Sequence, residues 1–126
     1  MSVFTFCCNL FIPVIMLIFS LIMIKHPPKN INGIYGYRTY MSTRSQETWD
    51  YAHARFGRIW LKMSVLLLVM SVIGQIPFLK ASENTTTVLI LVIMTIQMVG
   101  LIGPIFVVEK DLKRLFDKSG KRIVND

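Results

Sequence analysis

The sequence predicts an all-α, polytopic membrane protein with three transmembrane helices and an amphipathic cytoplasmic extension of the second. Three observations carry that prediction. Of 126 residues, 53% are apolar and only 17% charged, and the mean hydropathy is +0.55; a soluble domain of this size needs more polar residues to cover its surface. The charges are excluded from residues 2–24, 63–79 and 85–108, stretches of 23, 17 and 24 residues. The cations on either side of these stretches alternate between dense and sparse, as a chain threading a bilayer requires.

The first stretch, residues 2–24, is long enough to cross the hydrocarbon, which takes roughly 20 helical residues. No Lys or Arg precedes it, and Ile24-Lys25-His26-Pro27 lacks the small residues of a cleavage site, so it reads as a span rather than a signal peptide. Cys7 and Cys8 are adjacent near its outer end. They are expected to pack, because two thiols are too few for a metal site. Pro27 and Pro28 stop the helix, since neither can donate and each pushes its predecessor off helical geometry.

Residues 25–58 form a long connection. Its first part carries Gly33 and Gly36 and reads as an irregular loop at the membrane surface. Ser45 is placed to cap a new helix, with Glu47 in the first turn where a carboxylate complements the helix dipole. Gly57 is the one breaker between Gln46 and Gly74, so this helix is expected to run straight into the second span at 59–79, with Lys62 snorkelling to the interface. On its exposed part Trp49, His53, Phe56 and Trp60 share one stripe, and Tyr51, Arg55, Arg58 and Lys62 another. That pattern predicts a surface helix with aromatics at the interface and cations toward headgroups. Residues 80–87 make a short hairpin connection to the third span at 85–108. The tail, 109–126, mixes charge signs and is expected to continue the helix for a few turns and then fray. The whole chain reads as a single membrane domain, 1–126.

Few polar residues lie inside the spans. Asn9 and Gln75 both fall in the outer third of their helices, where they can face one another, and Gln97 lies near the middle of the third span beside Thr95. Amides in hydrocarbon join helices by hydrogen bonds, and the alternative use of such residues is a permeation path through an oligomer. No ionisable group is buried with them. Pro104 removes the donor that would serve the carbonyl of Gly100, predicting a kink, and Gly100 and Gly103 permit close helix approach. Asn84-Thr85-Thr86 fits a glycosylation sequon, next to the bilayer.

Orientation follows from the cations. The first connection up to Lys62 carries seven Lys and Arg residues and the tail six, whereas the second connection carries only Lys80. Two crossings separate the two basic segments, so both lie on one face, and the positive-inside bias makes that face cytoplasmic, with the N-terminus outside and the C-terminus inside. The net charge of +7 therefore points to anionic lipid before nucleic acid. Aromatic–basic interleaving of the RNA-binding kind is absent, and no nucleic-acid partner is expected.

The densest cluster of unusual residues is Asn32, Gly36-Tyr37-Arg38-Thr39, Ser42, Ser45, Glu47-Thr48-Trp49, Ala52-His53 and Gly57, spread over 26 residues. Read from the residues alone, the glycines allow tight turns, Arg38 pairs with Glu47 or Asp50, and Trp49 and His53, one turn apart, cover that pair. The cluster is then either a cap fixing the first helix against the second or a docking surface for a protein or peptide. In its spacing it resembles the signature of the SdpI family of bacterial integral membrane proteins. That signature has an Asn four residues before Gly-aromatic/aliphatic-Arg-Thr, a Ser-rich turn, Glu-x-Trp, and an Asn or Thr-His pair before a Gly, where this chain has Ala52-His53 and Gly57. Tyr40 stands where longer members often carry Pro, and the longest members have further spans ahead of this module. The resemblance implies the bacterial plasma membrane, no cofactor, and immunity or signalling through a peptide toxin or a regulatory protein.

Three classes of function remain in view. A binding module is favoured by the elaborate loop set against plain spans. A transporter or channel subunit would use the polar residues within the spans, in a homo-oligomer. An enzyme is not expected: no nucleophile accompanies His53 and Glu47 in a recognised spacing, and His26 and His53 lie too far apart in sequence for common metal-ligand motifs.

Overall fold

In a computed structural model, which describes residues 1–123, the spans are helical, the first of them in two pieces. A short helix α1 (Val3–Cys8) leads into α2 (Phe11–Lys25), and two long helices follow, α3 (Gln46–Gln75) and α4 (Glu83–Leu115). Three segments are long and apolar enough to cross a membrane: α1 with α2, α3 with the 3-10 turn Ile76–Phe78 that ends it, and α4. The order of contacts makes α3 the central helix, with α2 and α4 packed on it and scarcely touching each other. The Met1 ammonium donates to the carbonyl of Leu79 at 2.9 Å, so the N-terminus lies at the hairpin end of the bundle and the long connection and tail at the other.

The first span departs from the single helix expected over 2–24, because it breaks at Asn9 and Leu10. Pro13 is the cause: it has no N–H for the carbonyl of Asn9, four residues back, and its ring crowds that oxygen. The consequence is a free, buried carbonyl in mid-bundle.

Close approach between helices is set by small side chains. A Cβ on Gly57 would lie 3.1 Å from Ile24 and 3.2 Å from Met23, and one on Gly100 would lie 2.7 Å from Leu67. Ser20, Ser64 and Ser71 are also fully buried, as expected where packing rather than a hydrophobic driving force holds helices together. Gly103, expected to share this role, has open space at its Cβ position. Helix α4 buries the narrow stripe Ile93, Gln97, Gly100, Pro104, Val108 and Leu112 and runs unbroken through Pro104. Thr95 and both cysteines are exposed on the outer surface of the bundle; the cysteines do not pack as expected, because residues 3–8 bury none of their side chains.

The tail also differs from expectation. After Leu115 the chain turns back instead of fraying: Phe116 and Arg122 form an isolated antiparallel bridge, and Gly120, at φ +87°, sits against Ser45, whose hydroxyl donates to its carbonyl at 2.7 Å. The expectation for residues 124–126 lies outside the described residues.

Candidate functional site

Two polar clusters stand out, one inside the spans and one at the loop end. Inside the spans, Asn9 Nδ2 donates to Gln75 Oε1 at 2.7 Å, and Gln75 Nε2 donates to the carbonyl of Ser71 at 3.0 Å. Gln97 Nε2 donates both to the Ser71 hydroxyl at 2.9 Å and to the Asn9 carbonyl freed by Pro13, at 2.7 Å. All four residues are buried. The amides named from sequence thus form one network with Ser71 across the three spans, and each donor shown meets an acceptor within the chain. Thr95, adjacent to Gln97 in sequence, takes no part: its hydroxyl bonds Leu91 on its own helix.

At the loop end, the irregular segment is a folded object pinned to all three spans. Helix α3 begins at Ser45 with a capping box, Ser45 accepting from the Thr48 N–H while the Thr48 hydroxyl receives the Ser45 N–H. This fixes the first turns, so that Trp49 and His53 point back at the loop. Trp49 Nε1 donates to the carbonyl of Pro28 at 2.7 Å, holding the end of the first span. His53 Nε2 accepts the Tyr37 N–H at 2.9 Å, and its Nδ1 lies 2.7 Å from the Trp49 carbonyl. Those two partners assign the tautomer: neutral, with the proton on Nδ1. Burial pushes the His53 pKa below its ordinary 6.5, against the raising effects of the Trp49 carbonyl and Asp50.

Gly36 makes this approach possible. Its φ is +112°, and a Cβ there would lie 2.6 Å from His53 Nε2 and 2.9 Å from Pro28, so both backbone and space exclude a side chain. Ser42, buried, receives the Thr39 N–H at 2.8 Å and donates to the Tyr37 carbonyl at 2.9 Å. Tyr37 packs on Phe56 at 4.7 Å between ring centroids, and Phe56 on Trp60 at 4.5 Å.

The carboxylate at the centre of the loop end is not one of those expected. Glu109, on α4, accepts the Tyr37 hydroxyl at 2.6 Å and the Thr39 hydroxyl at 2.9 Å. Burial, and then the Glu109 carboxylate, hold the Tyr37 phenol well above the usual tyrosine range. Sequence reading missed Glu109, although a signal existed: it is the first charge after the third span and must lie at the depth of the motif loop. The expected Arg38 pair with Glu47 or Asp50 is not formed. Arg38 is exposed and donates through Nε to the Asn32 carbonyl at 3.1 Å. Asp50 accepts from Gln46, and Glu47, beside the tail, pairs with Arg122 at 2.9 Å. The reason is distance along the fold: Trp49 and His53 fill the space between loop and helix that such a pair would need.

The same burial corrects the reading of the aromatic stripe. Trp49, His53 and Phe56 face the chain's own loop and α4, not the membrane interface. Arg55, expected to face headgroups, bonds Asp111 on α4 at 3.1 Å. Gly57 lies apart from the loop, at the contact of α3 with α2. Asn32 shapes the loop tip, its Oδ1 accepting the N–H groups of Ile34 and Tyr35 at 2.9 and 3.0 Å. Those two side chains are then presented outward, Ile34 88% and Tyr35 54% exposed. Among the described residues no group of three His, Cys, Asp or Glu could hold a metal ion.

These features define a class: a three-span helical membrane protein whose first connection is a compact polar cap, locked to all three spans. The sequence model of the SdpI/YfhL protein family matches residues 29–108, from the motif loop through α3 and most of α4. The chain belongs to that family. No curated protein and no solved structure matches it significantly.

Proposed function

We propose that this chain is a partner-binding protein of the bacterial plasma membrane, of the immunity or signalling kind, and that its motif loop is the docking surface for a peptide toxin or a regulatory protein. The loop lies on the cytoplasmic side by the distribution of Lys and Arg. One observation carries the reading: the loop backbone is held rigidly from below by His53, Trp49, Ser42 and Asn32, while Ile34, Tyr35 and Tyr40 stand exposed beside Arg38 and Arg44. Apolar and aromatic side chains on a preorganised loop bind with little loss of conformational freedom. A permeation role is less well supported, because Asn9, Gln75 and Gln97 bond one another and Ser71 across the spans rather than facing an open route.

The test is survival of a sensitive host expressing the chain during challenge with toxins encoded in its own genome neighbourhood, comparing wild type with Ile34→Asp and Arg38→Ala. Ile34 is exposed and Arg38 makes only an exposed bond to the Asn32 carbonyl, so both variants should reach the membrane. Protection by wild type and its loss in Ile34→Asp is the expected result. Full protection by both variants would move the recognition surface elsewhere, and failure of wild type against every candidate would reject immunity in favour of regulator capture.

A further inference from the structure

A groove of about 350 Å³ opens between α2 and α4 at the loop end, where those two helices part. Its walls are Phe19 and Met23 on one side and Ile105 on the other, its floor is Phe56 and Trp60 of α3, and Arg38 stands at its mouth. The volume lies within the ~300–1,000 Å³ of ordinary ligand sites. We propose that this groove holds an anionic phospholipid, with an acyl chain along the apolar walls and its phosphate on Arg38.

Three observations on separate parts of the chain support that occupant. The first is depth. Phe19 and Met23 precede Lys25, the first charge after the first span; Trp60 adjoins Lys62, the last before the second; and Ile105 precedes Glu109, the first after the third. All three spans therefore place the groove at the boundary of hydrocarbon and headgroups, where a gap between helices is filled by lipid rather than water. The second is charge. The nearest carboxylate to the lining residues, Glu109, lies behind Tyr37 and Thr39 with its Oε2 taken up by their hydroxyls, and Arg38 commits only Nε, to the Asn32 carbonyl. Among the described residues its two terminal nitrogens have no hydrogen-bond acceptor and no ion-pair partner. A guanidinium in that state presents the two-nitrogen edge that binds a phosphate bidentately. The third is packing: Met23 and Phe56 are almost fully buried while Phe19 is half exposed. The groove is thus a furrow with a closed floor and an open lateral side, the shape an acyl chain enters from the bilayer.

The inference shares Arg38 with the docking reading but does not rest on it, and its readout needs no toxin or partner. The full chain, purified in mild detergent, is examined by native mass spectrometry and by thermal unfolding with added phosphatidylglycerol or phosphatidylcholine of matched chains. Wild type is expected to retain phosphatidylglycerol and to be stabilised by it more than by phosphatidylcholine. Arg38→Gln should remove the headgroup preference several-fold while keeping the fold. Ile105→Trp, which fills the groove, should reduce retention of both lipids. Equal retention of the two lipids by wild type overturns the role of Arg38, and undiminished retention by Ile105→Trp overturns the groove. Equal stabilisation by inorganic phosphate alone would make the site one for a free anion, and cross-linking of Phe19→Cys between chains in the bilayer would make the furrow an interface between copies; either result overturns the proposal.

Discussion

His53 is the residue on which the loop-end cap turns. Its Nε2 accepts a backbone N–H, which a protonated ring cannot do, so protonation breaks the bond that holds Tyr37 in place. The ring's pKa lies below 6.5 when folded, and the sign of the pH dependence follows. Well above pH 6.5 the ring is neutral in both folded and unfolded chains, and its contribution is fully present. As pH falls below 6.5 the unfolded chain takes up the proton first, so stability declines, levelling off only when the folded ring is protonated as well. Thermal unfolding of the purified protein from pH 8 to pH 5 should show that decline. In His53→Gln, where an amide oxygen can accept the same N–H, the part of the slope due to this ring should vanish; an unchanged slope would assign it to other groups. Gly36 shows the complementary constraint, because a left-handed backbone and a 2.6 Å approach to His53 leave room for hydrogen alone.

At the scale of elements, the broken first span and the buried amides are one device. Pro13 opens the helix at Asn9, and Gln97, two helices away, closes the hydrogen bond that Pro13 removed. Gln97→Leu should therefore cost about 1–3 kcal/mol in detergent unfolding, since it strands a buried carbonyl as well as losing its bond to Ser71. Pro13→Ala restores an N–H that can satisfy Asn9 within its own helix. In that background the cost of Gln97→Leu should shrink, and additive losses in the double-mutant cycle would show that the two residues act separately. The loop end works on a different principle. There the capping box of α3 aims Trp49 and His53, and the tail returns to the same helix terminus through Ser45 and Glu47. The exposed Arg122–Glu47 pair itself contributes little, on the order of 0–1 kcal/mol.

At the scale of the whole molecule, the asymmetry of the two ends follows from charge. The hairpin end carries Lys80 with Glu83, whereas the loop end carries thirteen of the fourteen Lys and Arg residues. In a bilayer this should fix the orientation with the loop end cytoplasmic. In a background of Cys7→Ala and Cys8→Ala, Lys80→Cys should react with an impermeant maleimide added to intact cells, and Lys118→Cys only after the membrane is breached. The reverse pattern would invert the topology and with it the side from which any partner approaches. The bundle is held chiefly by α3, which meets both other spans along small residues, so the furrow between α2 and α4 is a direct outcome of three helices packing about a central one.

What the sequence determined by itself was what periodicity and charge encode locally. Three charge-free stretches give three spans, Ser45 gives the start of α3, Pro27 and Pro28 give the end of α2, and the spaced motif from Asn32 to Gly57 gives the family. What only the tertiary structure decided was which polar group meets which. Arg38, Glu47 and Asp50 are close in sequence and suggest a pair, yet Glu109, some 70 residues from Tyr37 and Thr39, is the carboxylate that receives their hydroxyls. Likewise Pro13 and Gln97 carry no sign of each other until α4 packs beside the broken first span. The physical reason is the same in both cases. A hydrogen bond selects its partner by distance and direction in space, and in a helical bundle those are fixed by how the small residues let the helices cross, which local sequence does not specify.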